Sequence, residues 1–294
     1  MTNNPESQRG DHRDHVTFGI LFTVSATLVI ALLDVTVKFL TVRYPVVELA
    51  FARFAMQFIL GWSLLHRVSP RRLLRSQKPA LQLIRAACVL GTILFFMLAL
   101  RYLPVADLTA VAFAYPLLVA VLARPILGEV VGTHRIIALV IGFCGICLIL
   151  KPTGGLLQPE VIYPLLGAGC LALGQLATRR LRHEDPPGLT LIYPAFAGLV
   201  VVSPFAWTQW QAPSAQHAVL FLTMGALGTL VHYLTIKAHR WAPASTVASY
   251  QYVHIIFAVI LGYLAFHDLP DLLTIAGATI IVASGLWVYS RERS

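Results

Sequence analysis

From Val16 onward the chain alternates long apolar runs with short polar interruptions. The runs fall at about 16–40, 46–66, 80–101, 105–124, 134–150, 160–178, 188–207, 216–238, 244–266 and 271–290. An α-helix rises about 1.5 Å per residue, so crossing roughly 30 Å of hydrocarbon takes about 20 apolar residues. Each run is of that order, and the pattern predicts ten membrane helices. The stretch from Pro186 to Ile236 carries no formal charge and is too long for one crossing. It divides at Trp207-Thr208-Gln209-Trp210-Gln211-Ala212-Pro213, where polar, aromatic and helix-breaking residues coincide. The expected fold class is an all-α integral membrane protein with short connections.

The pattern also repeats. Arg101-Tyr102-Leu103-Pro104-Val105-Ala106-Asp107 aligns with Arg240-Trp241-Ala242-Pro243-Ala244-Ser245-Thr246. Continued without a gap, the same register sets Tyr115 opposite His254 and Glu129 opposite Asp268. A weaker match sets Leu32–Leu40 against Leu173–Leu181, with Lys38 opposite Arg179. The chain is therefore expected to hold two five-helix halves, 16–151 and 160–290, between a tail at 1–15 and a tail at 291–294. Five is odd, so the halves must be inverted relative to each other. Inverted halves can exchange conformations around one central site, which favours a secondary transporter over a channel or an enzyme.

Composition agrees. Apolar residues make up 57% of the 294 and charged residues only 12%, against about half and a quarter in soluble domains. That excludes a soluble enzyme, a disordered chain and a collagen-like chain. The net charge of +9 is carried by residues that punctuate the apolar runs. One set of loops holds Arg9, Arg13, Arg67, Arg71, Arg72, Arg75, Lys78, Arg124, Arg135, Arg179, Arg180, Arg182, Lys237, Arg240, Arg291 and Arg293. The opposite set holds only Arg43, Arg101 and Lys151. The positive-inside rule places both termini in the cytoplasm, the protein being multi-pass in an inner membrane. The cluster at 67–78 reads as a topology anchor beside anionic lipid, and nucleic acid is not an expected partner. Met1–His15 is polar and shows no small-residue cleavage site, so the first run is expected to be retained as a helix. Cys144-x-x-Cys147 lacks the further ligands of a zinc site and reads as small residues easing helix packing. No metal or other cofactor is expected.

Further motifs carry a resemblance. They are Arg85, Ala99-Leu100-Arg101-Tyr102-Leu103-Pro104-Val105-Ala106-Asp107, Tyr115-Pro116-Leu117, Leu127-Gly128-Glu129, and a Gly-rich run ending at Lys151-Pro152. With ten spans, they resemble the drug/metabolite transporter superfamily, specifically its EamA branch. The resemblance covers nearly the whole chain and implies a permease of small organic solutes, with no enzymatic activity. Leu33-Asp34-Val35-Thr36-Val37-Lys38 and Pro45-x-x-Glu48-Leu49-x-x-x-Arg53 resemble members that carry S-adenosylmethionine-like or flavin-like metabolites. The second half departs from the pattern at Asp268, where Phe266-His267 replaces Leu-Gly.

Ionisable groups inside hydrocarbon are expensive and therefore candidates for function. Asp34 and Lys38 are one helical turn apart. They either pair with each other, Lys38 reaching outward, or leave Asp34 facing a cavity where it holds a cation or a proton. Arg53 is either a structural clamp, with Asp34 an attractive partner, or a ligand for a substrate carboxylate or phosphate. Glu48, about 140° from Arg53 around the helix, is not its expected partner. Arg85 lies close enough to the cytoplasmic face to snorkel. Asp107 and its counterpart Thr246 read as helix caps, and Glu129 as a loop salt bridge or gate contact. His183-Glu184-Asp185 reads as a solvated turn. Pro116 frees a backbone carbonyl and is expected to kink helix four near mid-membrane. Tyr115, Gln175, His232, Tyr250, Gln251 and His254 then suggest a wet, aromatic-lined cavity for an amphipathic or ring-bearing solute. His232, His254 and Asp34 make protons a candidate coupling ion.

The expected function is secondary transport of small organic metabolites by alternating access. A cationic or zwitterionic ring-bearing solute such as S-adenosylmethionine is favoured. Amino-acid or drug efflux and riboflavin uptake are the alternatives within the family, and an intramembrane enzyme is a remote one. No Gly-x-x-x-x-Gly-Lys-Ser/Thr loop, Gly-x-Ser-x-Gly elbow or His-Glu-x-x-His pair occurs in the chain.

Overall fold

The computed structural model describes residues 5–64, 76–115, 118–119, 122, 125–126, 133–181, 184–185, 187–241 and 250–292. Among these the fold is all-helical, without a strand. The helices are α1 (Pro5–Thr41), α2 (Val46–Leu64), α3 (Pro79–Tyr102), α4 (Val105–Ala112) and α5 (Thr133–Leu150). They continue as α6 (Pro159–Leu181), α7 (Pro187–Gln209), α8 (Ala215–Trp241), α9 (Val253–Phe266) and α10 (Leu272–Glu292). Five segments are long and apolar enough to cross a membrane: Thr17–Thr41, Val46–Ser63, Pro79–Tyr102, Leu191–Gln209 and Ala215–Thr235. The protein is therefore a multi-pass membrane protein. Helix α1 begins well before its apolar run. Pro5 suits a first helical position, and no further proline interrupts the polar segment that follows.

Two helices stop short of their apolar runs. Helix α4 ends at Ala112, and after a turn at Phe113 and Ala114 helical geometry resumes at Tyr115, with the Leu118 amide donating to the Ala114 carbonyl at 3.1 Å. A proline cannot donate to the carbonyl four residues earlier, and its ring crowds that carbonyl. For Pro116, which lies outside the described residues, that position is Ala112. The amide of Ala114 turns instead to the Val111 carbonyl, 2.9 Å away. Helix α9 begins only at Val253, after a turn at Tyr252. Helix α7 runs through Pro204 without stopping, because Ser203 Oγ donates to the Val200 carbonyl that Pro204 leaves without a partner, at 3.2 Å.

The main packing pairs are α3 with α6, α1 with α8, α5 with α10, and α2 with α7. Helix α2 also meets α8, α3 meets α7, and α9 lies against α1 and α4. Exchanging each helix for the one five places on leaves this list nearly unchanged. Small residues permit the closest approaches, as membrane helices require. A methyl group on Gly145 would lie 2.8 Å from the Gly277 carbonyl, so α5 and α10 touch backbone to backbone. Gly198 of α7 likewise leaves the space that the ring of Phe54 on α2 fills. This corrects the expectation for Cys144 and Cys147. Both are exposed, and the small residue at the contact is Gly145 between them.

Helix ends sort into two sets. The α1–α2 corner meets the α7–α8 corner through Tyr44 Oη and His217 Nδ1 (2.8 Å), and through Phe51 and Trp210. At that same end the Gln211 amide donates to Glu48 Oε2 at 3.2 Å. The end of α1 also meets the α9–α10 corner, where Lys38 Nζ pairs with Asp268 Oδ2 at 2.5 Å. At the opposite end, Asp185 between α6 and α7 joins Ser76, Gln77 and Gln82. Phe18 there packs near Trp241. Every such contact joins helix ends that strict up-and-down alternation puts on one side.

His267 closes α9 with φ 57°, a left-handed conformation that favours glycine, and its amide donates to the Tyr263 carbonyl at 2.9 Å. The repeat register sets Gly128 opposite His267. A His267→Gly chain sheds roughly 1–2 kcal/mol of left-handed strain against roughly 0.5–1 kcal/mol of extra backbone entropy for glycine. The net gain of about 0.5–1 kcal/mol should read as a higher melting temperature in detergent. A lower one would show that the ring's edge contact with Tyr263 outweighs the backbone.

Candidate functional site

The two helix breaks face each other. The register that aligns Arg101 with Arg240 also sets Phe113 opposite Tyr252, and each of these residues lies where its helix is interrupted. Their rings meet at 4.9 Å. Beside them Tyr115 Oη donates to Gln251 Oε1 at 2.7 Å, so the broken segments of the two halves are joined by both a ring contact and a hydrogen bond.

Charged groups gather next to this junction. Asp34 of α1 and Arg53 of α2 each sit seven residues from the shared corner, about 10 Å along their helices. Asp34 Oδ2 lies 3.2 Å from His254 Nε2. That is ion-pair distance, but the N–H points off the line needed for a hydrogen bond. The His254 ring also presents to Phe113 at 6.2 Å. Arg53 is half-buried along its chain, while its Nε is fully enclosed without a hydrogen-bond partner. Among the described residues no carboxylate lies within ion-pair distance of it. The acid whose charge acts on it is Asp34. Gly228 of α8 backs the guanidinium, and His232, one turn along the same helix, feels its charge.

The structure thus brings together Asp34, Arg53, His254, Tyr115 and Gln251, with His232 alongside. It places Gln175 and Tyr250 on exposed surfaces, Tyr250 at 39%. Pro116 and Glu129 lie outside the described residues. Phe113 was not singled out from the sequence, although continuing the repeat register across the Tyr-Pro motif pairs it with Tyr252, a member of the Tyr250-Gln251-Tyr252-x-His254 run.

The local Asp34–Lys38 pair does not form. Lys38 reaches Asp268, 230 residues away, and lies 4.7 Å from the centre of the Phe266 ring. Proximity on one helix face permits an i,i+4 pair, but Asp268 takes Lys38 and His254 lies against Asp34. Arg85 stays within the bundle, with its Nε donating to Thr178 Oγ1 at 2.6 Å.

Asp185 is not part of a solvated turn either. It is buried, accepting from Ser76 Oγ at 2.6 Å, Gln82 Nε2 at 2.8 Å and the Gln77 amide at 3.0 Å. Glu184 beside it pairs with Lys78. Burial alone would raise the Asp185 carboxyl, but the three hydrogen bonds together hold it below the ordinary carboxylate range. A depressed folded value gives stability that is full above about pH 4–5 and is lost as the pH falls through that value. Asp185→Asn should cost about 1–3 kcal/mol near neutrality. Melting curves from pH 7 to pH 3 should show the gap between wild type and variant closing in acid. A gap of constant size would exclude the charge as its cause.

Comparison with known proteins agrees with this architecture. One solved structure matches with a TM-score of 0.64 at 16% identity, covering 96% of this chain and 99% of that one, a likeness of fold alone. The S-adenosylmethionine uptake transporter of Rickettsia prowazekii is 28% identical over 282 residues, 94% of each chain. The riboflavin transporter of Vibrio cholerae is 26% identical over 288 residues, 95% of each chain. The pseudopaline exporter of Pseudomonas aeruginosa is 27% identical over 280 residues, 92% of this chain and 95% of that one. Residues 17–151 and 158–290 each match the model of the EamA-like transporter family, a transporter family and not an enzyme family, and to that family the chain belongs.

Proposed function

We propose that the protein moves small organic metabolites across the inner membrane by alternating access, with a cationic or zwitterionic, ring-bearing solute such as S-adenosylmethionine as cargo. The observation that carries this is the meeting of Asp34, Arg53 and His254 with the two facing helix breaks. Ionisable groups this far inside a helical bundle call for a water-filled path or a ligand, and interrupted helices expose backbone polar groups that can serve one. The S-adenosylmethionine uptake transporter among the relatives supports the cargo. Tyr252 and His254 are only partly buried at this place and are the aromatic groups against which a ring can stack.

In this account the chain crosses the membrane ten times, as inverted halves 16–151 and 160–290, with both termini cytoplasmic. The sorted helix ends, the near-symmetric packing and the Arg and Lys asymmetry of the loops support it. The Lys38–Asp268 pair then closes the outer side, and the Asp185 cluster ties down the cytoplasmic side. One half tilts against the other to open each side in turn. Protons are the candidate coupling ion, since Asp34 and His254 share one contact with Arg53 and His232 close by. Riboflavin is the second cargo to consider, because a relative carries that name and the same aromatic faces suit a flavin ring.

A thermal-stability scan of the detergent-purified protein tests the cargo. The panel holds S-adenosylmethionine, riboflavin, aromatic and basic amino acids, and quaternary ammonium drugs. A ligand at about 100 times its dissociation constant stabilises by about 2.7 kcal/mol. S-adenosylmethionine should produce such a shift. A shift confined to riboflavin would replace it as cargo, and a flat panel would contradict both.

A further inference from the structure

We propose that Arg53 and Asp34 together read an α-amino-acid head group, the guanidinium taking the carboxylate and the Asp34 carboxylate taking the ammonium. This rests on the transport function above and names the substrate class of that site.

The guanidinium carries the argument. Arg53 lies inside the bundle with its Nε enclosed and unpartnered. Asp34 attracts it from beyond ion-pair distance. A half-buried guanidinium with its Nε enclosed and no contacting counter-charge is unfavourably placed, and a membrane interior makes it more so. Glu48 does not relieve it, being held by the Gln211 amide nearer the corner. A carboxylate is the natural complement, because a guanidinium presents its N–H groups as a planar fork that matches two oxygens.

Asp34 supplies the opposite sign at the same depth. Its side chain keeps 19% of its surface accessible, and its contact with His254 is poorly aligned. The carboxylate is therefore open to a better donor. An ammonium, with three N–H groups, is one.

The pairing also discriminates. A solute with only a positive charge would meet Asp34 but be repelled by Arg53 beside it. A neutral ring solute would leave both charges unsatisfied. A head group with both signs on neighbouring atoms satisfies each. Tyr252, only partly buried and backed by Phe113, which lies against His254, is the aromatic group beside the pair for the remainder of an aromatic or nucleoside-bearing amino acid to meet.

Two matched pairs of ligands test this by calorimetry or thermal shift on the intact protein. They are S-adenosylmethionine with its decarboxylated analogue, and tryptophan with tryptamine. Wild type should bind at least one carboxylated member ten times or more tighter than its partner. Arg53→Gln should erase that preference, weakening the carboxylated member tenfold or more and leaving the decarboxylated one as tight or tighter, since the repelling guanidinium is gone. Arg53→Lys, which keeps the charge but not the fork, should fall between. The ligand-free Arg53→Gln protein should melt no lower than wild type, since it sheds an unpaired charge.

Equal binding within both pairs by wild type overturns the proposal, as does failure of all four ligands. A lower melting temperature in Arg53→Gln with equal weakening of every ligand also overturns it, by making Arg53 a structural clamp. Binding and transport of riboflavin alone, unaffected by Arg53→Gln, would defeat the head-group assignment while leaving transport intact. Absence of any solute movement in liposomes would defeat the transport function itself.

Discussion

Reversing Lys38 to Glu places two carboxylates where one ion pair stood, and the variant should transport at a tenth of the wild-type rate or less. Asp268→Lys should do the same, and the double exchange should recover most of the loss. Lys38 and Asp268 are 15% and 34% exposed at 2.5 Å, so solvent screens them only in part. Lys38 also lies over the Phe266 ring, a second contact that favours the cation at that position. Fully exposed pairs couple by only about 0.2–1 kcal/mol, and this sheltered pair should exceed that range in a double-mutant cycle. The cycle should be run on transport rate and on melting temperature. If the pair closes the outer side, the coupling appears in the rate even where the melting temperatures differ little. Failure of the double exchange to rescue either quantity would show that each residue matters through something other than its partner.

Asp34→Asn should weaken the binding of ammonium-bearing solutes by about tenfold to a hundredfold. A hydrogen bond to a charged group contributes about 1.5–3 kcal/mol, and each 1.4 kcal/mol is a factor of ten. The amide keeps the shape of the carboxylate and removes the charge that both His254 and Arg53 feel. A purely structural Asp34 predicts the reverse, with a lower melting temperature and unchanged affinity. Equilibrium binding measured beside thermal unfolding separates the two, and unchanged affinity for every cationic solute would remove Asp34 from the site.

Much of the architecture was legible in the chain because hydrocarbon thickness dictates the length of an apolar run. Each of the ten described helices covers part of a predicted run, with α1 reaching back beyond its run to Pro5. Partners were less legible. Nothing local distinguishes a Lys38 that pairs with Asp34, four residues away, from one that reaches Asp268 across the whole second half. The same holds for Asp185. In sequence it sits in a polar turn before two prolines, and only the return of the 76–82 segment buries it. Small-residue packing was expected of Cys144 and Cys147, but the backbone approach of α5 to α10 selects Gly145, the one residue there without a side chain. Helical spacing put Tyr250 on the His254 face. The turn at Tyr252 breaks that spacing, and Tyr250 is exposed while Tyr252 faces Phe113.

The most direct measurement is counterflow in proteoliposomes. Purified protein is reconstituted with excess unlabelled S-adenosylmethionine inside and a trace of labelled solute outside, without ATP or an ion gradient. Alternating access around one site predicts transient accumulation of label above equilibrium, abolished by Asp34→Asn and absent from protein-free liposomes. Label that equilibrates without overshoot, or that enters equally well when the interior is empty, would contradict a carrier that exposes one site to each side in turn.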